Sequence, residues 1–593
     1  MTGKLSHSSA SNANASPTGI ARRIVGYFAG VVGVLLLAAS AFWWRGEAEW
    51  GRFEPLTPEQ AFAEGSFGLE LAPLKYILVA SNVSATALGT SWIRRFGFLS
   101  RKTPAAGACE ADAPQNLPVG FTVSNRLPGS ATPLPVKFVG LSCAACHAAS
   151  IGESGPILGV GTQTADVIGF TDAFLNAVLD PALNSKIILG AYDRQCPGEA
   201  SGFRAQAARW VEAFFIDRWL SGVRAQTREN VTKYDLPYHG AELGSPDNIP
   251  TGPSRTRPFR SVVRNTLDLP GAKNIAYSKV PLAAMQGLKR WSQFDGSIGD
   301  PVVRSMIAVF TSGASLAALN EPQISDNIVK AAAYTLRRGI DPPLPSLAET
   351  FPNRPKPSAE TLEKGHLVYV RACDGCHGHP NGAGWSLPSA SGDPPSITPL
   401  PEIGTDPGRI IFRYADMLPI ALSATLPAAD VTVQREALVA QSAKAIRQGD
   451  LAQADWWNEA IIALEARSRE FPAGHRRAFP AGDVTQRDGY QNAPIPFIWL
   501  RAPYLHNGSV PTVRQLIGLD ERPTRFCRGD AGYDPIAIGV IAPPPGANGC
   551  DSKAPFLFDT TQPGNSNAGH LHPPPGTVAR EELEALLAYV GTL

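Results

Sequence analysis

Two five-residue segments constrain this chain more than anything else in it: Cys143-Ala-Ala-Cys146-His147 and Cys373-Asp-Gly-Cys376-His377. In a Cys-x-x-Cys-His segment two thiols can add across the two vinyl groups of one porphyrin, and the adjacent imidazole then reaches the iron from below. A thioredoxin-type thiol pair does not require the histidine, and a four-cysteine zinc site would leave both histidines unused. Chance places one such match in roughly 0.2% of chains this size and two almost never. The segments therefore read as two covalently bound haem c groups. Cys143, Cys146, Cys373 and Cys376 hold the porphyrins, and His147 and His377 hold the irons.

Composition narrows the setting. The 593 residues carry 53 Lys+Arg against 52 Asp+Glu, a balance with no electrostatic footprint for nucleic acid. Hydrophobic residues at 44% exclude global disorder. The 56 Gly and 53 Pro exceed the usual ~12% of a chain and point to long irregular loops around a filled core.

Residues 1–23 are polar and read as a disordered cytoplasmic tail. Ile24 to Trp44 then runs without a charge, long enough for a helix to cross a ~30 Å hydrocarbon core. Trp43, Trp44 and Trp50 crowd its far end, and Lys4, Arg22 and Arg23 its near flank. The expectation is an uncleaved single-pass anchor in a bacterial inner membrane, N-terminus cytoplasmic and haem domains periplasmic. A cleaved signal peptide ending near Ala39-Ser40-Ala41 is the competing reading. Beyond the anchor, residues 55–340 form an N-terminal haem domain. The Pro-rich stretch 341–357 reads as a stiff linker, and residues 358–593 form a C-terminal cytochrome c domain.

The second motif sits in a legible frame. Ser358 can cap a helix with Glu360 and Glu363 near its start, and Leu362, Gly365 and Tyr369 follow at helical spacing. The chain ends in another helix with Leu583, Leu586, Leu587 and Val590 on one face. This resembles the cytochrome c fold, whose terminal helices cross beside the haem, and it implies contact between Gly365 and Tyr589. The first motif follows an extended stretch, Pro133 to Gly140. The helical stripe of Ala205, Ala208, Val211, Ala213, Phe214, Ile216 and Trp219 reads as core.

Further ligands are scarce in the first block: only His239, Met285 and Met306 are available besides His147. An open distal side is what O₂ or peroxide activation needs, whereas a closed six-coordinate haem suits electron transfer. The second block offers His366, His379, Met417, His475, His506, His570 and His572. The contexts that stand out are Arg501 to Thr512, Gly564 to His570, and Met417 before Leu-Pro. Cysteines 109, 196, 527 and 550 remain, and outside the cytoplasm they should pair as Cys109–Cys196 and Cys527–Cys550, each worth ~3–4 kcal/mol by loop closure.

The segment RAPYLHNGSVPT at 501–512 is similar to one in the di-haem cytochrome c peroxidase superfamily. The closer resemblance is to its rubber-oxygenase-like branch. It is carried by LPVGF at 117–121, VGLSCAACH at 139–147, FDGS at 294–297 after Trp291, EIGTDPGR at 402–409, ERPTRFCRGDAGYDP at 521–535 and PGNSNAGH at 563–570. The resemblance implies an O₂-binding catalytic haem on His147 with an open distal side. It implies a low-spin haem on His377 with His570 as second ligand, and His506 close to a propionate. Trp291 and Phe294 fall where distal aromatics could shape the first pocket.

The expected architecture is mainly α with long irregular loops, two cytochrome c-like haem domains behind a single N-terminal transmembrane helix. The expected function is that of a membrane-anchored di-haem oxidoreductase. Its partners are O₂ or peroxide, an unidentified hydrophobic substrate, a redox partner protein or quinone-linked donor, and the membrane, but no nucleic acid. The alternative is a pure electron carrier with both haems six-coordinate.

Overall fold

The computed structural model describes residues 56–593 apart from 102–108, 127–132, 235–248, 258–276, 387–396, most of 412–487 and gaps of one to three residues elsewhere. Before residue 56 it describes only 27, 30 and 32–34. The first elements are helix α1 (Pro58–Glu64), strand β1 (Glu70–Pro73) and helix α2 (Leu74–Val83). Thr57 starts α1: its hydroxyl accepts from Gln60 N while the Gln60 side chain accepts from Thr57 N, a reciprocal cap. Strands β2 (Phe121–Arg126) and β3 (Pro133–Leu141) join β1 in a three-stranded sheet of order β1-β3-β2, with Glu70 opposite Gly140 and Pro73 opposite Phe138. The extended run before the first motif is therefore the central strand of this sheet.

Hairpin β4 (Ala148–Ser150)/β5 (Pro156–Leu158) leaves the first motif, and helices α3 (Val167–Leu179), α4 (Ser185–Gln195) and α5 (Phe203–Tyr234) follow. Their inner face is aromatic. Phe170 stacks on Trp92 at 5.1 Å and meets Phe98 edge-on at 5.2 Å, while Tyr76 lies 5.9 Å from Trp219. On α5, Ile216 and Trp219 are buried as the stripe requires, but Phe214 is exposed, as is Trp210. The short pair β6 (Arg255–Thr256)/β7 (Ser278–Lys279) precedes helices α6 (Pro301–Thr311) and α7 (Pro322–Arg337). Both pack with Phe62, Phe67, Ala144 and Ala148 into one apolar cluster.

Across the Pro-rich stretch, Leu344 and Leu347 are buried. They share a second cluster with Ala149, Ile157 and Leu282 on one side and Tyr369, Trp499 and Leu586 on the other. Ser358 caps helix α8 (Ala359–Ala372) by accepting from Thr361 N at 3.1 Å, and the one-turn helix α9 (Asp374–His377) holds the second motif. Short ladders then replace the expected irregular loops: β8 (His379–Asn381) with β9 (Gly384–Ser386), β10 (Ile397–Pro399) with β11 (Gly489–Gln491), and β12 (Arg525–Arg528) with β13 (Phe556–Asp559).

The last helix, α10 (Arg580–Val590), crosses α8 at Gly365. A Cβ on Gly365 would lie 2.1 Å from Ala585 O and 2.7 Å from the Tyr589 Cβ, so only glycine permits this approach. The expected contact is present. Both expected disulfides are formed, Cys109–Cys196 and Cys527–Cys550.

Two expectations are corrected. The chain is mixed helix and sheet rather than mainly α. The reason is that segments read as loops satisfy their backbone groups by pairing with chain far away in sequence, as β10 does with β11. Second, among the described residues no helix is long and apolar enough to cross a membrane. The single-pass inner-membrane placement built on residues 24–44 is therefore not supported. An uncharged run satisfies a hydropathy count, but a span also needs a continuous helix. Of that run only residues 27, 30 and 32–34 are described, in helix, and the remainder lies outside the described residues, as does the 1–23 tail.

Candidate functional site

The first motif is a tight turn. His147 N bonds to Cys143 O at 2.9 Å and Cys146 N to the same carbonyl at 3.2 Å, which gathers both thiols and the imidazole within one turn. Gly120, at φ +82, lies against it so closely that a Cβ would fall 1.9 Å from Ala145 N. The Gly of the LPVGF phrase therefore marks a backbone contact with the motif. The hairpin β4/β5 braces the exit: Gly159 N donates to His147 O at 2.9 Å and Thr162 N to Cys146 O at 2.8 Å.

His147 Nδ1 donates to Pro281 O at 3.1 Å, which fixes the tautomer and leaves the Nε2 lone pair for a metal. The turn carrying Pro281 is itself held. Gln286 Nε2 donates to Leu282 O at 3.1 Å, and Arg304 on α6 donates to Gln286 Oε1 at 2.9 Å and to Thr335 Oγ1 on α7 at 3.0 Å. Burial pushes the His147 imidazole down to about 4, and Arg304 acts in the same direction. Met285 and Met306 pack into the two apolar clusters, and His239 lies outside the described residues.

The second motif repeats the device. His377 Nδ1 donates to Ala493 O at 2.7 Å, just after β11, and Trp385 Nε1 donates to His377 O at 2.9 Å. Opposite it stands His570, ring centroids 6.1 Å apart and planes 32° apart. Two metal–imidazole bonds of ~2 Å plus two ring radii of ~1 Å make roughly this separation, so one iron fits between them.

His570 sits at φ +50 after Gly569, where a Cβ would lie 2.3 Å from Thr405 N. Its loop is pinned on several sides. Asn507 Nδ2 donates to Gly564 O at 3.2 Å and Ser566 O at 2.9 Å, Ser509 Oγ donates to Ser566 O at 2.9 Å, and Arg522 donates to Asn567 O and Gly569 O. Sequence reasoning missed these braces, although all three lie inside phrases it had singled out. Burial drives the His570 imidazole down to about 3, with His377 and His572 adding to the effect.

The other histidines are committed elsewhere. His366 packs on Tyr589 at 5.2 Å, and His379 Nδ1 contacts Asp374 Oδ1 at 2.6 Å. His572 meets His570 edge-on at 5.6 Å. Met417 and His475 lie outside the described residues.

The thiols argue against a redox pair. Neither motif closes a disulfide, and burial pushes Cys143 and Cys373 up to about 12 and Cys146 to about 11. A thioredoxin-type nucleophile needs the opposite shift.

His506, Trp291 and Phe294 gather at the edge of β11. Gln491 N donates to Phe294 O at 2.8 Å and Gln491 Nε2 to Trp291 O at 3.3 Å, while Phe294 meets His506 edge-on at 6.4 Å. Tyr490 stacks on His506 at 4.6 Å. Its hydroxyl donates to Asp406 O at 2.7 Å, so the 3.2 Å contact with His506 Nε2 is made by an Nε2–H donor. Burial, with Arg409 and Lys279 nearby, holds His506 down to about 3, so the ring is neutral near pH 7.

Residues 489–527 match the family described as RoxA-like, cytochrome c-like. That segment contains the Ala493 acceptor, Asn507, Ser509 and Arg522. The match implies haem c and a haem-based redox function for the C-terminal region. The chain is 26% identical over 551 residues to the uncharacterized protein y4iJ of Sinorhizobium fredii (strain NBRC 101917 / NGR234), covering 85% of each. It is 36% identical over 84 residues to the uncharacterized protein y4iM of the same organism, 14% of this chain and 19% of that one.

Proposed function

We propose that this protein is a di-haem c-type oxidoreductase. One haem would be held by Cys143, Cys146 and His147, and a second by Cys373, Cys376, His377 and His570. Haem bound through these residues supplies a redox-active iron and, where no side chain takes the second axial position, a coordination site for O₂ or peroxide. The observation that carries the reading is the asymmetry of the two motifs. His377 faces His570 at 6.1 Å, whereas the methionines of the first block are packed in apolar clusters.

The division of labour follows from the side chains. His147 and His377 each give the Nδ1 proton to a backbone carbonyl and keep Nε2 unprotonated as a donor to iron. The pinned 564–570 loop holds His570 in place and favours electron relay over ligand exchange at that centre. The apolar cluster around Ala144, Ala148 and Phe310 excludes water beside the first motif and suits an apolar co-substrate. A redox partner protein or quinone-linked donor would supply electrons.

The test is the EPR spectrum of the ferric protein purified with its haem attached, alongside a haemochrome count. The expected result is two haems per chain with one high-spin and one low-spin signal. Two low-spin signals would overturn the activation reading and leave electron transfer as the function.

A further inference from the structure

Three cations, two on the β6/β7 pair and one on β12, are buried without an ion-paired acid among the described residues. Arg255 is 1% exposed, Arg528 3% and Lys279 8%. The groups they bond are neutral. Arg255 Nε donates to Thr251 O at 2.6 Å, Nη1 to Asn565 Oδ1 at 2.6 Å and Nη2 to Pro250 O at 3.3 Å. Lys279 Nζ donates to Pro503 O at 2.7 Å and to Arg501 O. Arg528 Nη2 donates to Ser254 Oγ, and its Nη1 is buried with no hydrogen-bond partner among the described residues. The carboxylates that act on these cations are Asp166 and Asp406, from beyond ion-pair range, and both are occupied in capping Gly169 N and Gly408 N at 2.8 Å.

The groups are close together. Arg255 and Lys279 are directly opposed in the β6/β7 ladder, and the Arg255 and Arg528 guanidinium carbons lie 4.5 and 5.6 Å from the Phe558 ring centre. A Cβ on Gly508 would meet Arg528 Nη1 at 3.4 Å and the Lys279 Cβ at 3.5 Å, so Gly508, at φ +71, leaves room beside the unsatisfied nitrogen. The Thr251 hydroxyl nearby is also buried and unpartnered among the described residues. A buried charge without a counter-charge is far more costly than one that is paired. Consistently, burial lowers Arg255 to about 10, Arg528 to about 9 and Lys279 to about 7, and Arg528 in turn lowers Lys279.

We propose that Arg255 and Lys279, opposed in the β6/β7 ladder, and Arg528, which meets Lys279 at Gly508 and shares the Phe558 ring with Arg255, form a buried oxyanion site that takes a carboxylate or a small inorganic oxyanion. The carboxylate source is a propionate of a covalently bound haem, and the other source is a free anion. Arg501, which also makes no ion pair among the described residues, acts on both Lys279 and His377 and so places the cluster within electrostatic reach of the second motif.

The experiment uses the protein purified with its haem attached, as wild type, Arg528→Met, Arg528→Lys and Lys279→Met. One arm measures the thermal midpoint in chloride, nitrate, sulfate and phosphate at constant ionic strength. A free anion stabilises the wild type selectively and fails to stabilise Arg528→Met. The second arm is a spectroelectrochemical titration. If the occupant is a propionate, the midpoint does not respond to anion identity. Instead, Arg528→Met raises the ferric-to-ferrous ratio of one haem about tenfold at fixed potential, a shift of about 59 mV downward, and Arg528→Lys restores most of it. Should Arg528→Met not fold, Lys279→Met carries the same readouts. Neither anion selectivity nor a potential shift, with variants as stable as wild type, overturns the site. The free-anion arm does not depend on haem, and haem content is measured on the same samples, so loss of the di-haem reading is distinguishable.

Discussion

The imidazoles of His377 and His570 face each other across 6.1 Å, one delivered by a one-turn helix and the other by a loop pinned from Asn507, Ser509 and Arg522. A spacing that accepts one iron is held by contacts from separated stretches of chain. Replacing His570 with Ala removes one imidazole and leaves its partner's backbone bond intact. The low-spin EPR signal assigned to this centre should convert to high spin, with haem still attached. An unchanged low-spin signal would give the ligand role to another residue.

Asn507 is fully buried and holds two carbonyls of the His570 loop. Asn507→Ala removes both bonds, leaving Gly564 O without this donor while Ser566 O keeps Ser509 Oγ, and should cost about 1–3 kcal/mol. The same variant should broaden or split the low-spin signal, because the loop that orients His570 is loosened. Chemical denaturation and EPR on one preparation check both effects.

Gly365→Ala tests the helix crossing. The added methyl would sit 2.1 Å from Ala585 O, a backbone atom that cannot rotate away. Helices α8 and α10 must separate, at a cost of about 1–3 kcal/mol or more. A thermal midpoint within a degree of wild type would show that α10 adjusts freely.

The acid limb of stability should carry a contribution from His506. Its folded imidazole is held at about 3, against ~6.5 in an unfolded chain. Between those limits the unfolded state binds a proton that the folded state does not. Stability from this group is therefore complete above about pH 6.5 and falls by ~1.4 kcal/mol for each unit below it, until the folded group titrates near 3. Denaturant titrations of wild type and His506→Phe between pH 7 and 4 should show a shallower slope for the variant.

Arg304 and Gln286 hold the turn that presents Pro281 O to His147. Gln286→Leu breaks the link from Arg304 to that turn. It should shift the reduction potential of the first haem and leave that of the second unchanged, read by the same spectroelectrochemical titration. Equal shifts at both centres would point to a global disturbance instead.

Much of this was legible in the residues themselves. The Cys-x-x-Cys-His spacing, the Ser358 cap, the apolar face of the last helix, the Gly365–Tyr589 contact and both disulfides each follow from local chemistry at known positions. The membrane-spanning expectation is not supported: among the described residues no helix is long and apolar enough to cross a membrane, and most of residues 24–44 lie outside them. The mainly α expectation failed because strands of three or four residues carry too little periodicity to be seen before their partners are known.

Side-chain identity at short range is written in the sequence, and that is what it determined here: the two thiol–imidazole motifs, the crossing helices and the cysteine pairs. The resemblance implied His570 as the partner of His377, and the tertiary structure sets their rings 6.1 Å apart; it alone decided that Pro281 O and Ala493 O orient the two motif imidazoles. It also decided that Arg255, Lys279 and Arg528 are buried together without an ion-paired acid among the described residues. The physical reason is that a backbone carbonyl has no residue-specific signature, and the burial of a charge depends on what the rest of the chain packs around it.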